Sequence, residues 1–216
     1  MRPLALILAL LAALLSPEAH AEAITDRQLR RALRGATVAQ TAALEAATTA
    51  HAEARIANRA AEEQMGHAQL AHEAALMRLD AARVHMLAIE AERTWAEHSE
   101  DRGRLADLFV EERAANKALD WRVSRTELMR LRLVVAQARL DLRTAEMSVR
   151  AGVLQLVRLR TYVDLQGADA SLEARIGEHQ ASLGRAEVTR HDLVLALERA
   201  EADVTQAEVL TDRLAP

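Results

Sequence analysis

Six residues between positions 65 and 86 have side chains able to hold a soft metal: Met65, His67, His72, Met77, His85 and Met86. Thioether and imidazole ligands suit Cu(I), so a metal-binding periplasmic protein is one reading of this stretch. The spacing does not favour it. His67 and His72 are five residues apart, which places them on different faces of a helix, and no HExxH occurs. The simpler reading is surface histidine and core methionine on one helix, with no metal or cofactor ligand assigned. Glu62 and Glu63, and likewise Glu111 and Glu112, are adjacent carboxylates. Neighbours on a helix do not face each other, so these read as solvated surface rather than as acid/base pairs. Ser, His and Asp occur without a nucleophile elbow or a Gly-rich phosphate loop. With no Cys, the chain has no thiol nucleophile, thiolate site or disulfide. The expectation is a non-enzymatic protein with no catalytic residue and no cofactor.

The elements that position these residues all read as helix. Half of the 216 residues are hydrophobic, yet only Trp95, Phe109, Trp121 and Tyr162 are aromatic. Ala and Leu interleaved with Arg and Glu is the composition of long helices and coiled coils. No Pro lies between Pro17 and Pro216, so nothing forces a helix to stop. The net charge of -4 gives no electrostatic footprint for nucleic acid.

The strongest pattern lies in Ser124–Tyr162. Leu128, Leu131, Val135, Ala138, Leu142, Ala145, Val149, Gly152, Leu156, Leu159 and Val163 follow the 3-4 spacing of a coiled-coil seam. A second row, Leu119, Leu133, Leu140, Met147 and Leu154, lies on nearly the opposite side, so this helix is expected to be sandwiched between partners. Arg125, Arg132, Arg139 and Glu146 recur at one flanking heptad position, and Glu127, Val134 and Asp141 at another, where charges select partner and register.

Before it, an alanine seam is read at Leu29, Leu33, Ala36, Ala43, Ala47, Ala50, Ala54, Ala57, Ala61, Ala68, Ala71 and Ala75, with Thr25 or Asp26 as cap. Gly35 and Gly66 each mark a potential kink. The segment His98–Arg104 reads as a break in which Gly103 takes the left-handed C-cap conformation, with Trp95 and Leu108 facing each other across the turn. A further break near 119–124 follows from the capping-box pattern Ser124-Arg125-Thr126-Glu127. The clearest break is Leu165–Ser171, where Gly167 ends one helix and Asp169 or Ser171 starts the next. The final seam runs Leu172, Ile176, Leu183, Ala186, Leu193, Leu197, Ala200, Val204, Ala207 and Leu214, with His179, Arg190 and Thr211 as polar members.

At the start of the chain, Arg2, the apolar run Leu4–Leu15 and Ala19-His20-Ala21 read as a secretory signal peptide cut after Ala21. The run is too short to span a membrane, and no later stretch is apolar enough to do so. The predicted organisation is a signal peptide over 1–21 and an elongated α-helical coiled-coil domain over 22–216. The fold class is all-α, with three or four long antiparallel helices at about 24–98, 104–166 (with the break near 119–124) and 171–214.

The segment from Arg122 to Glu146, and within it Val134–Glu146 with Ser124, Glu127 and Leu128, resembles the periplasmic helices of the outer-membrane efflux (TolC-like) family. The resemblance implies an all-helical periplasmic tunnel, a trimer, and partners in an export pump. His98–Arg104 is too short to hold that family's membrane strands, so what is implied is a relative of its helical portion only. The expected function is a periplasmic structural or adaptor protein that pairs with other helical envelope proteins or with itself. Its associations would be with an efflux or export complex at the outer membrane. The alternative is a coiled-coil regulator of cell-wall hydrolases or a secretion-pilus component.

Overall fold

A computed structural model describes residues 33–167 and 170–215. The signal peptide read over 1–21, the helix start near Ile24, and Asp169 lie outside the described residues. The chain is all-α: three long helices and, among the described residues, no strand. Helix α1 spans Val38–His98, α2 spans Arg102–Gln166 and α3 spans Ala170–Leu214, with a short 3-10 turn at Leu33–Gly35 ahead of α1.

Each described end has a local cause. The N-terminus of α1 is a reciprocal capping box. The Gln40 backbone N–H donates to Thr37 Oγ1 at 3.3 Å, and the Thr37 N–H donates to Gln40 Oε1 at 2.9 Å. Gly35 sits in the 3-10 turn that precedes it, whereas Gly66 lies inside α1 without interrupting it.

The α1–α2 turn falls within the expected segment, but Gly103 does not make it. Glu100 takes the left-handed conformation at φ 54°. The Asp101 N–H bonds to the Ala96 carbonyl at 3.1 Å and the Glu100 N–H to the Glu97 carbonyl at 3.4 Å, which is a Schellman closure. Asp101 then caps α2 by accepting from the Arg104 N–H at 3.0 Å, and Gly103 falls inside the first turn of α2. Under this turn Leu108 packs with Ile89 and Ala96, and both Leu108 and Ala96 are fully buried. Trp95 is exposed, so Ala96 holds the place expected of Trp95.

No break occurs near 119–124; α2 runs straight through it. The residues of the capping-box pattern are used sideways instead. Ser124 Oγ shares a hydrogen bond with Thr211 Oγ1 of α3 at 2.9 Å, and Thr126 Oγ1 donates to the Ala75 carbonyl of α1 at 3.4 Å as well as to the Arg122 carbonyl of its own helix at 2.8 Å. Glu127 pairs with Arg130. With no Gly or Pro nearby, hydroxyls that could cap a helix serve as tertiary contacts within one. The α2 C-terminus closes as read from the sequence: Gly167 takes φ 90° and its N–H bonds to the Val163 carbonyl at 2.8 Å.

The helices contribute to two compact units. The first holds the described residues up to Ala50 together with Ala151–Leu183. Here Gln40 Nε2 donates to Asp164 Oδ2 at 3.1 Å, Gly35 lies against Leu165, and Gly152 lies against Leu183. The buried side chains are Leu44, Leu154, Leu156, Leu159 and Thr161.

The second unit holds His51–Arg150 and the residues from Gly184 onward. Here α2 lies between the other two helices: Ala75 of α1, Leu128 and Met129 of α2, and Val204 and Ala207 of α3 form one cluster. Arg132 pairs with Glu208 and Arg139 with Glu201, each at 2.7 Å, so these two heptad charges do set a register, against α3. Glu146 pairs with Arg143 on its own helix instead.

The main seam of α2 is buried at Leu128, Val135, Leu142, Ala145 and Val149 in this unit. Of the second row, Leu133, Leu140 and Met147 are half-buried. Thr144, which shares a face with Leu140 and Met147, donates to Asn58 Oδ1 of α1 at 2.9 Å. That row is turned toward α1 of the same chain.

Candidate helix-docking face

The inward face of α1 departs from the expected seam over part of its length. Ala54, Ala61, Ala68 and Ala75 point inward as read; at the alternating position Ala50 and Ala57 are half-buried and share the face with His51 and Asn58, whereas farther on Met65 and His72 take the places read for Gln64 and Ala71. Asn58 is buried and His51, Met65 and His72 are half-buried, while Gln64 and Ala71 are exposed. The seam continues through Leu79, Ala82, Met86 and Ile89. One consequence is polar: the buried Nδ1 of His51 has no hydrogen-bond partner among the described residues.

This phase settles where the soft-ligand residues stand. Met65, His72 and Met86 belong to the inward seam, whereas His67, Met77 and His85 are exposed on other faces. The three on the seam recur at multiples of seven residues, about 10.5 Å per step along the axis, which is too far for shared coordination. The adjacent carboxylates are also occupied structurally. Glu62 accepts from Asn58 Nδ2 at 2.8 Å, Glu111 bonds Arg104, and Glu112 bonds Arg93.

Two surface ion-pair groups shift the ionisation of their members. Hydrogen bonds from Arg130 hold the Glu127 carboxyl below the usual carboxylate range. Those that Arg104 donates to Glu92, and then to Glu111, raise its own pKa. The largest groove described, about 610 Å³ between the three helices near Ala68, Val135 and Val204, is edged by Arg132 and Arg139, whose charges are already met by Glu208 and Glu201. Nothing in that groove pairs a nucleophile with a base.

The unusual surface lies on the outward side of α1. Leu70, Met77, Val84 and Trp95 are 64%, 72%, 66% and 67% exposed. With Ala74, Ala81, Ala88 and Ala91 they complete the series 70, 74, 77, 81, 84, 88, 91, 95, an unbroken 3-4 apolar repeat. Met77 is two residues from the buried Ala75, about 200° around the helix, so this stripe lies opposite the inward seam. Leu87 widens it, also exposed. Single exposed apolar residues are ordinary; a continuous row at coiled-coil spacing is what makes this face the candidate for helix docking.

The sequence signal for this stripe was present as the larger residues of Leu70–Trp95. It was masked because α1 has alanine on both faces, and alanine gives little contrast between them. Comparison of the chain with protein families, curated proteins and solved structures gives no match.

Proposed function

We propose that this chain is a non-enzymatic helical adaptor of the cell envelope. In this reading it is exported, cut after Ala21, and works in the periplasm by pairing with a helix of another envelope protein. The observation that carries the reading is the outward apolar repeat of α1 from Leu70 to Trp95. Three further points support it. Successive contacts between α1 and α2 run in opposite sequence order, Asn58 with Thr144, Ala75 with Thr126 and Arg93 with Glu112, as in an antiparallel coiled coil. Among the described residues no helix is long and apolar enough to cross a membrane. The segment from Arg122 to Glu146 resembles periplasmic helices of the TolC-like family, and an efflux or export assembly is the partner this reading proposes.

Burial of the stripe against an amphipathic helix would supply the affinity, at about 25 cal/mol per Å² of apolar surface before the costs of association. The flanking Asp80 and Glu92 would supply orientation. Photo-crosslinking in producing cells tests the reading. A crosslinking side chain at position 77, 84 or 95 should give one shared adduct with a helical envelope protein, and Glu90, exposed on the same helix outside the stripe, serves as control. Adducts no stronger than at position 90 would contradict it. An adduct with a cell-wall hydrolase or a pilin would replace the efflux assignment with the regulatory one. Amino-terminal sequencing of the exported protein checks the leader: Glu22 as first residue is expected, and Met1 would overturn export with cleavage.

A further inference from the structure

Sulfur chemistry in this chain falls to methionine alone, because there is no cysteine to intercept an oxidant. The methionines of the described residues are unequally covered. Met86, in the inward seam of α1, is 9% exposed, and Met129, in the cluster with Ala75 and Leu128, is 8% exposed. Met65 and Met147 are half-buried. Met77 is 72% exposed. It is also the one thioether in the outward stripe of α1, with Leu70 and Val84 one heptad to either side.

These two observations meet at one atom. Oxidation of a thioether follows its exposure, so Met77 is where an oxidant first reaches sulfur. The export read for this chain would carry it out of the reducing cytoplasm. Hydrogen peroxide suffices as co-reactant. A lone pair of the Met77 sulfur attacks one peroxide oxygen, and an S–O bond forms as the O–O bond breaks. The proton on the transferred oxygen passes to the departing hydroxide, which leaves as water. Sulfur is oxidised by two electrons and the peroxide is reduced by the same two. The product is a sulfoxide, which turns a flexible apolar side chain into a strong hydrogen-bond acceptor.

An apolar helix–helix seam offers that oxygen no donor, and burying a polar group without a partner is unfavourable. A docked helix would cover Met77, so oxidant takes the free fraction and holds it free, a shift of population toward the undocked state. Leucine at this position would fill nearly the same space and cannot be oxidised, and the same heptad row already holds Leu70. We propose that Met77 is an oxidant-sensitive modification site, and that its conversion to the sulfoxide by a peroxide prevents a helix from docking on α1. The proposal rests on the docking reading given above.

The test has two arms. The purified protein is treated with hydrogen peroxide, and sulfoxide is located by peptide mass mapping over time. Met77 should be oxidised at least about threefold faster than Met65, Met86, Met129 or Met147, and comparable rates would overturn the proposal. In producing cells, a crosslinking side chain at position 84 is placed in the native chain and in Met77→Leu. Cells receive a peroxide dose that fully oxidises Met77 in the purified protein, and are then irradiated. The adduct should fall at least about fivefold in the native chain and persist in Met77→Leu. An adduct that persists in the native chain, or falls equally in Met77→Leu, would overturn this proposal and leave docking standing. No adduct at position 84 in untreated cells would overturn the docking reading, and this proposal with it.

Discussion

Asn58 is a buried amide in a seam made mostly of alanine, and it is satisfied on both sides. Its Oδ1 accepts from Thr144 Oγ1 and its Nδ2 donates to Glu62. A polar seam residue of this kind fixes register between two helices that alanine alone would let slide. Asn58→Ala should cost about 1–2 kcal/mol in a denaturant melt, because Thr144 loses a buried partner. Glu100 is the opposite case, a non-glycine residue in the left-handed region at the α1–α2 turn. Glu100→Gly should raise stability by about 0.5–1 kcal/mol, read as an upward shift in Tm.

Glu127 gives a pH-dependent term whose sign is fixed. Its folded pKa is lowered by Arg130, so its contribution is present above the unfolded carboxyl pKa and is lost as pH falls through the folded value. The pair is about half exposed, so the contribution stays below about 1 kcal/mol. Melts of the native chain and Glu127→Gln should differ slightly at neutral pH and converge in acid.

At the scale of elements, the helices were legible and their contacts were half legible. The α2 seam stands where leucine and valine spacing put it, because large side chains mark a face; the α3 seam is half-buried at the expected positions except Arg190 and Leu214, which are exposed, and Thr211, which is buried. The α1 seam was displaced by one residue at 65 and 72, where Gln64 and Ala71 are exposed. At 51 and 58 the inward face is shared with the half-buried Ala50 and Ala57, and hydropathy singled out the alanines over His and Asn. The same one-residue displacement put Trp95 where Ala96 is buried. The Thr37–Gln40 capping box was equally readable, and the apolar spacing running through Leu33, Ala36 and Ala43 hid it. The box at Ser124 was readable and misleading, because partners on α1 and α3 claim its hydroxyls. Leu108, fully buried under the first turn, should lose about 2–5 kcal/mol on Leu108→Ala. Leu140→Asp should cost about 2–3 kcal/mol, since the half-buried row beside Thr144 would then hold an unpaired charge.

At the scale of the whole molecule, α1 carries two opposite apolar faces. Its inward seam packs within the chain, and its outward stripe from Leu70 to Trp95 is exposed, which is where the proposed function puts a second helix. The absence of cysteine makes the distinction directly measurable, because a single introduced thiol has no competitor. Val84→Cys and Leu79→Cys report the outward and inward faces, with Val84 66% and Leu79 5% exposed. The decisive measurement is the rate of maleimide labelling at each thiol, in the purified protein and in the native cell envelope. In the purified protein Cys substitution at 84 should label rapidly and at 79 slowly; in the envelope the site at 84 should become at least tenfold slower. Equal labelling of the site at 84 in both settings would contradict the docking of a helix on α1.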